Sequence, residues 1–278
     1  MHRSVSLVSR SGEEPQLAAG LRLAWMLARR DLRNRYASSY AGAAWNIGVP
    51  LLYSLINVIV FSVLMNGRMG AHYSNVPFSL FYFVPFSLWM VFAEVLGRST
   101  TILRQYQYLI TKIAFPSWVL PLVPLASALI GQAVVLLFVV GLSLHWHVPM
   151  AESAWVFLPI WLIALVFTLG LAYAVAALAA YVPDMVQIVP VGTTILFWLT
   201  PIVYPATLIE EHAPPWLRSL VVDFNPFTWL VELARNAVFG DGSISWSAIA
   251  AMGVAAVLIF TGGSALFRKL QPGFADVI

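Results

Sequence analysis

A chain of 278 residues that is 60% hydrophobic and only 10% charged, with a mean hydropathy of +0.84, lacks the polar surface of a water-soluble domain, where about a quarter of residues carry charge. Its composition is that of a polytopic membrane protein. The formal charge of +3 and pI near 9.3 do not point to nucleic acid, because the cations stand at the ends of apolar stretches, where lysine and arginine fix topology; the lack of cysteine excludes disulfide and thiolate–metal chemistry.

Residues 1–16 are polar and expected to form a flexible N-terminus. No cleavable signal is expected, since the short apolar run over 17–27 is broken by Arg22 and followed by four arginines. Residues 17–40 read as an interfacial amphipathic helix and a cationic mouth. Leu21, Trp25, Ala28 and Leu32 step along one face with Arg22, Arg29 and Arg33 beside it, and RRDLRNRYASSY follows where the chain enters the membrane.

Residues 41–268 are predicted to hold six spans, each judged against the roughly 20 apolar residues that cross a bilayer. Spans one and two cover 43–65 and 77–97, joined by a short turn. Between spans two and three lies RSTTILRQYQYLITKIAFP, which carries Arg98, Arg104 and Lys112 and no acid. Ile102, Leu103, Tyr106, Leu109, Ile110 and Ile113 recur at helical steps there, so a short amphipathic helix is predicted, stopped by Pro116. Spans three to six cover 117–144, 154–182, 188–204 and 244–267. The segment 205–242 is too polar to cross and too apolar for an ordinary loop. It is predicted to form two short helices, 214–222 and 227–239, around the DFNP turn, dipping into the membrane or sitting at its outer face. Residues 269–278 are a short tail. With both termini inside, twelve of the 15 cations fall on the cytoplasmic side, leaving Arg68, Arg218 and Arg235 outside.

The chemistry is sparse. No phosphate-binding loop of the GxxxxGK[ST] kind occurs, so the chain is not expected to power anything itself, and there is no HExxH pair. His145 and His147 frame Trp146 in a short outer turn, which reads as an interfacial pair more readily than as a metal site. Glu94 is the one acid well inside an apolar run and is a candidate for an internal ion pair. It either joins Arg29, Arg30, Arg33 or Arg35, tying span two to the N-terminal helix, or snorkels beside Arg98 four residues on. Phe78, Tyr82, Phe86, Trp89 and Phe92 lie within an arc of about 120° on span two. Such a stripe packs in a core, faces lipid or passes sugar rings. Tyr53, Asn57 and Phe61 on span one, and Phe197, Trp198 and Tyr204 on span five, are similar candidates.

Four blocks in register resemble the type-2 ABC exporter permeases of the polysaccharide class: RRDLRNRYASSYAGAAWNIGVPLL, FAEVLGRSTTILRQYQYLITKIAFPSWVLPL, NPFTWLVELARNAVFGDG and FRKLQPGFADVI. The last is similar to the terminus of O-antigen and capsule exporters, with Gln271 standing where those usually carry an acid. The resemblance implies an all-α integral membrane protein of the inner membrane: six transmembrane helices, a cytoplasmic coupling helix between spans two and three, and outer re-entrant helices between spans five and six. It implies a homodimer bound to two copies of a separate ATPase subunit, which holds the ATP and magnesium, with no cofactor on this chain. Arg104, Gln105, Tyr106, Tyr108, Leu109 and Lys112 would then dock on that ATPase. Tyr53, Asn57, Phe61, Phe197, Trp198 and Tyr204 would line a channel at the dimer interface. The cargo would be a polysaccharide linked through diphosphate to a polyprenol, and Arg29, Arg30, Arg33 and Arg35 stand where its head group would enter; guanidinium forks suit phosphate. The same arginines also suit anionic membrane lipid. Rival readings are a permease for teichoic acid, a drug or another lipid, and a membrane glycosyltransferase. The enzyme reading lacks a clustered carboxylate pair or metal ligands.

Overall fold

The computed structural model describes residues 16–35, 44–45, 48, 52, 55–56, 58–60, 76–112, 115–240 and 243–278, and over them the chain is helical, with no strand. Span one, with Tyr53, Asn57 and Phe61, and the N-terminal stretch 1–15 lie outside the described residues or nearly so.

At the centre stands α2 (Phe78–Ser99), apolar on every side and buried on nearly every side, from Phe78 through Trp89 to Ser99. A helix without a polar face must be covered all round, and α5 (Leu122–Trp146), α6 (Phe157–Tyr181), α7 (Met185–Leu199) and α10 (Pro226–Phe239) cover it. The peripheral helices α5 and α11 (Trp246–Leu270) instead leave broad apolar faces uncovered, including Leu137, Leu144, Val257 and Leu258. In water such faces would be a liability; in a bilayer they are the lipid contact.

Four helical stretches among the described residues are long and apolar enough to cross a membrane: Phe78–Ser99, Ser117–Trp146, Glu152–Tyr181 and Trp246–Val277. They correspond to the predicted spans two, three, four and six. The predicted fifth span is the shorter α7, which starts three residues earlier than expected and stops at Leu199, where Thr200 turns extended ahead of Pro201. A further seam is unusually tight. A methyl group added at Gly170 on α6 would lie 2.6 Å from the Phe260 backbone of α11, and one at Gly263 would overlap the Gly170 carbonyl. Small residues let apolar helices approach to backbone contact, which is how helices associate where lipid is as apolar as leucine.

Two predicted elements are corrected. The single helix expected over 102–113 is two, α3 (Ile102–Gln105) and α4 (Gln107–Lys112), broken at Tyr106. Ile102 and Leu103 are drawn into the bundle while α4 leans on the C-terminal α12 (Phe274–Val277), so one straight axis cannot serve both. The outer helix expected over 214–222 is α9 (Pro215–Arg218) followed by a π turn, Ser219–Asp223, and an additional α8 (Ala206–His212) precedes it. The Thr228 hydroxyl and Trp229 indole N–H donate to the carbonyls of Val221 (2.6 Å) and Val222 (3.0 Å), holding that wider turn.

Candidate functional site: the loop end and the buried arginine

The loop of α3 and α4 is held by a second, smaller core at one end of the bundle. There Leu27 and Ala28 of α1 (Gln16–Arg35) meet Ile102, Leu103, Leu120, Tyr173, Phe267 and Phe274, with Tyr106 and Ile110 against them. The charged atoms of this end are knitted into it. Arg98, at the end of α2, donates to Asp31 of α1 at 2.5 Å and stands 3.6 Å from Glu94. The Ser127 hydroxyl of α5 donates to the same Asp31 oxygen at 3.2 Å. Three elements therefore meet at one carboxylate.

α1 and span two are tied through Asp31 and Arg98, and Glu94 stands beside Arg98, four residues before it. The clue was visible as the lone acid in RRDLRNR, but nothing local says which distant cation it meets. Tyr106 lies next to this group. Burial pushes its phenol pKa up, Asp31's charge adds to the shift, and Arg30 and Arg98 oppose it.

The residues expected to dock a partner divide into two sets. Gln105 and Tyr108 are exposed, Tyr108 to 64%, and with Gln107 and Thr111 they form the outward face of the loop. Tyr106 and Leu109 are half-buried, and Arg104 turns inward to donate to the Ala179 carbonyl of α6 at 3.2 Å. Arg104 thus anchors the loop to α6 and is not part of its outward face. The Lys112 and Arg35 side chains lie outside the described residues. Arg29, Arg30 and Arg33 are exposed on α1.

α1 packs on the bundle through small and aliphatic residues. Gly20, Ala24, Leu27 and Ala28 are buried, and a methyl group at Gly20 would strike the Trp118 ring. Leu21 and Trp25 stay exposed, to 51% and 56%.

Of the channel candidates, Phe197 is half-buried with its ring 5.6 Å from Trp89, Trp198 is exposed, and Tyr204 donates to the Trp198 carbonyl at 2.9 Å. Trp198 continues an exposed face of α7 made by Ile188, Val191 and Ile195. The aromatic stripe of span two is mostly core. Phe78, Tyr82, Trp89 and Phe92 are buried, with Phe92 and Trp89 wedged on Phe227 of α10 at 4.6 and 5.1 Å. His147 caps α5 in a left-handed conformation (φ 53°) with Nδ1 at 2.9 Å from the Leu144 carbonyl, and His145 stands edge-on to Trp146.

At the opposite end sits a residue sequence reasoning took only for a topological cation. Arg235 of α10 is fully buried. Its guanidinium donates to Glu232 at 2.6 Å, to the Pro201 and Ile202 carbonyls at 2.7 and 3.2 Å, and to the Phe81 carbonyl at 3.3 Å, while resting 3.7 Å over the Phe81 ring. The Phe81 carbonyl lacks its usual helical partner because residue 85 is proline and has no N–H. The Pro201 and Ile202 carbonyls belong to the turn after α7, outside any helix. One guanidinium thus serves three backbone oxygens in an apolar setting, where such groups need partners within the protein. Asn225 sets the start of α10, its Oδ1 accepting from the Phe227 amide while Nδ2 donates to Thr200 Oγ1 at 3.0 Å.

Residues 22–239 match the family model described as ABC-2 type transporter. An O-antigen export system permease protein RfbA of Myxococcus xanthus is 29% identical over 263 residues, spanning 91% of this chain and 94% of that protein. Two proteins of the same name from Klebsiella pneumoniae are each 25% identical over 91% of this chain and 93% of their own length.

Proposed function

Because the chain belongs to the ABC-2 type transporter family, we propose that it is the membrane-spanning permease of an exporter carrying polyprenyl-diphosphate-linked polysaccharide from the inner to the outer leaflet. The observation that carries this reading is the end-to-end similarity to permeases named for O-antigen export. In this reading two copies assemble with two copies of a separate ATPase. The termini and the α3–α4 loop face the cytoplasm of a bacterium, and the membrane is its inner membrane. Six spans cross it, the first over 43–65 and the fifth being α7 with the turn that follows. The α8–α10 segment is the re-entrant outer element.

Gln105 and Tyr108 on the outward face of the loop, together with Lys112, would contact the ATPase, and Tyr106, Leu109 and the anchored Arg104 would pass its movement to α1, α2 and α6. The loop's grip on the bundle supports this. Through Leu103, Arg104 and the Asp31–Arg98 junction, a displacement at Tyr108 reaches four helices within a few residues. Trp198 and Tyr204, with the span-one candidates Tyr53, Asn57 and Phe61, would border the path of the glycan, aromatic faces covering apolar sugar faces while hydroxyls stay wet. Arg30, the exposed arginine of α1 on the Tyr106 side, supplies a cation at the mouth that a diphosphate would meet.

The test is reconstitution of the chain with a nucleotide-binding subunit in proteoliposomes holding lipid-linked glycan on one face. The glycan is expected to reach the other face only with ATP and only with both proteins. ATP hydrolysis by the chain alone, or transfer without nucleotide, would overturn the reading.

A further inference from the structure

The arginines of α1 do not form one cluster. At 100° per residue, the seam of buried Gly20, Ala24, Leu27 and Ala28 and part-buried Asp31 occupies an arc of about 100° against α5 and the Trp118 turn. Going round from it, Leu21, Trp25 and Leu32 follow within about 40°, two of them strongly exposed. Arg22, Arg29 and Arg33 follow within a further 40° or so, all exposed. Arg30 alone lies on the other flank of the seam, and its charge is felt at the Tyr106 phenol.

We propose that Arg22, Arg29 and Arg33, with Leu21 and Trp25, form a binding site for the phosphate groups of anionic phospholipid, and that Arg30 stands outside it. An uncovered apolar stripe bordered on one side by three cations is the arrangement of a helix lying in the interface, its hydrocarbon side in the acyl boundary and its guanidinium groups at head-group level. The depth is set by the seam. Gly20 seats on Trp118, the second residue of a membrane-crossing stretch, and Asp31 on Ser127, nine residues further along it, so α1 is pinned against the opening turns of that stretch. Phosphate could also come from a polyprenyl diphosphate, but the three arginines share their flank with the apolar stripe, whereas a head group bound for the bundle would have to pass the seam or the Arg30 side. The inference rests on the membrane-permease reading but not on the identity of the cargo.

The test uses the purified full-length chain in neutral detergent, titrated with dioleoylphosphatidylglycerol, dioleoylphosphatidylcholine or a polyprenyl diphosphate, bound lipid being counted by native mass spectrometry. R22Q/R29Q/R33Q is expected to bind phosphatidylglycerol about tenfold or more weaker than wild type. R30Q should stay within about twofold, and polyprenyl diphosphate binding should be unchanged in the triple variant. Should the triple variant not be recovered, R29Q/R33Q is expected to show a smaller loss of the same selectivity. Wild-type affinity for phosphatidylglycerol in either multiple variant, an equal loss in R30Q, or a loss confined to polyprenyl diphosphate would overturn the proposal. Export measured separately decides the permease reading, so the two fail independently.

Discussion

Arg235 shows what a single charge can do inside an apolar bundle. It is fully buried and paired with Glu232, whose side chain is 29% exposed, yet most of its hydrogen bonds go to backbone oxygens rather than to the acid. Removing one partner of such a group leaves the others desolvated and unmet, which costs about 3–5 kcal/mol. Arg235→Ala is therefore expected to lower the melting temperature in detergent sharply, with little folded protein recovered. Arg235→Lys should rescue it only in part, because an ammonium cannot serve a forked set of acceptors. A melting temperature unchanged in Arg235→Ala would mean that water already satisfies those carbonyls. A buried arginine was not legible from the sequence, although Arg235 falls three residues after Glu232, along the same side of α10 as Leu230, Val231, Ala234 and Val238. Such an embedded cation is a site candidate by default within membranes. Its place in a segment too polar to span disguised it as a surface charge.

Among the elements, the α3–α4 loop and α1 behave as one unit through the Asp31–Arg98 junction. A double-mutant cycle of Asp31→Asn and Arg98→Gln, read by thermal unfolding, is expected to return a coupling of about 1–3 kcal/mol. Additive single effects would show that the two residues act separately. The α6–α11 seam makes a second prediction. Gly263→Leu must displace the Gly170 backbone, and overpacking of this kind costs about 1–3 kcal/mol; Gly262→Leu, with open space around its Cα, serves as the silent control. Unequal melting temperatures for the two variants confirm the seam, equal ones refute it. The sequence located each of these helices within a few residues, since hydropathy and proline breaks report length directly. It could not assign faces. In a bilayer both the lipid side and the core side of a helix are apolar, so the periodicity that separates inside from outside in water carries no such signal. The span-two stripe thereby left its role open, and small residues such as Gly20 and Ala24 gave no sign of the seam through which α1 packs.

For the molecule as a whole, topology is the property most open to direct test. The sequence contains no cysteine, so single cysteines introduce no background. A cysteine at Tyr108 is expected to react with an impermeant maleimide only from the cytoplasmic side, and one at Glu210 only from the outer side, both positions being exposed. Labelling of both from one side would invert or abolish the six-span arrangement. The two polar junctions also close on different clocks. At the loop end Asp31, Arg98 and Ser127 emerge within 96 residues of one another, whereas the Phe81 oxygen is made 154 residues before the guanidinium that receives it. At ribosomal speeds of about 5–20 residues per second, that oxygen waits roughly ten to thirty seconds. The Asp31–Arg98 junction is thus complete in the nascent protein well before the Arg235 latch, and a ribosome stalled before that codon holds a molecule whose second helix is made but still unlatched.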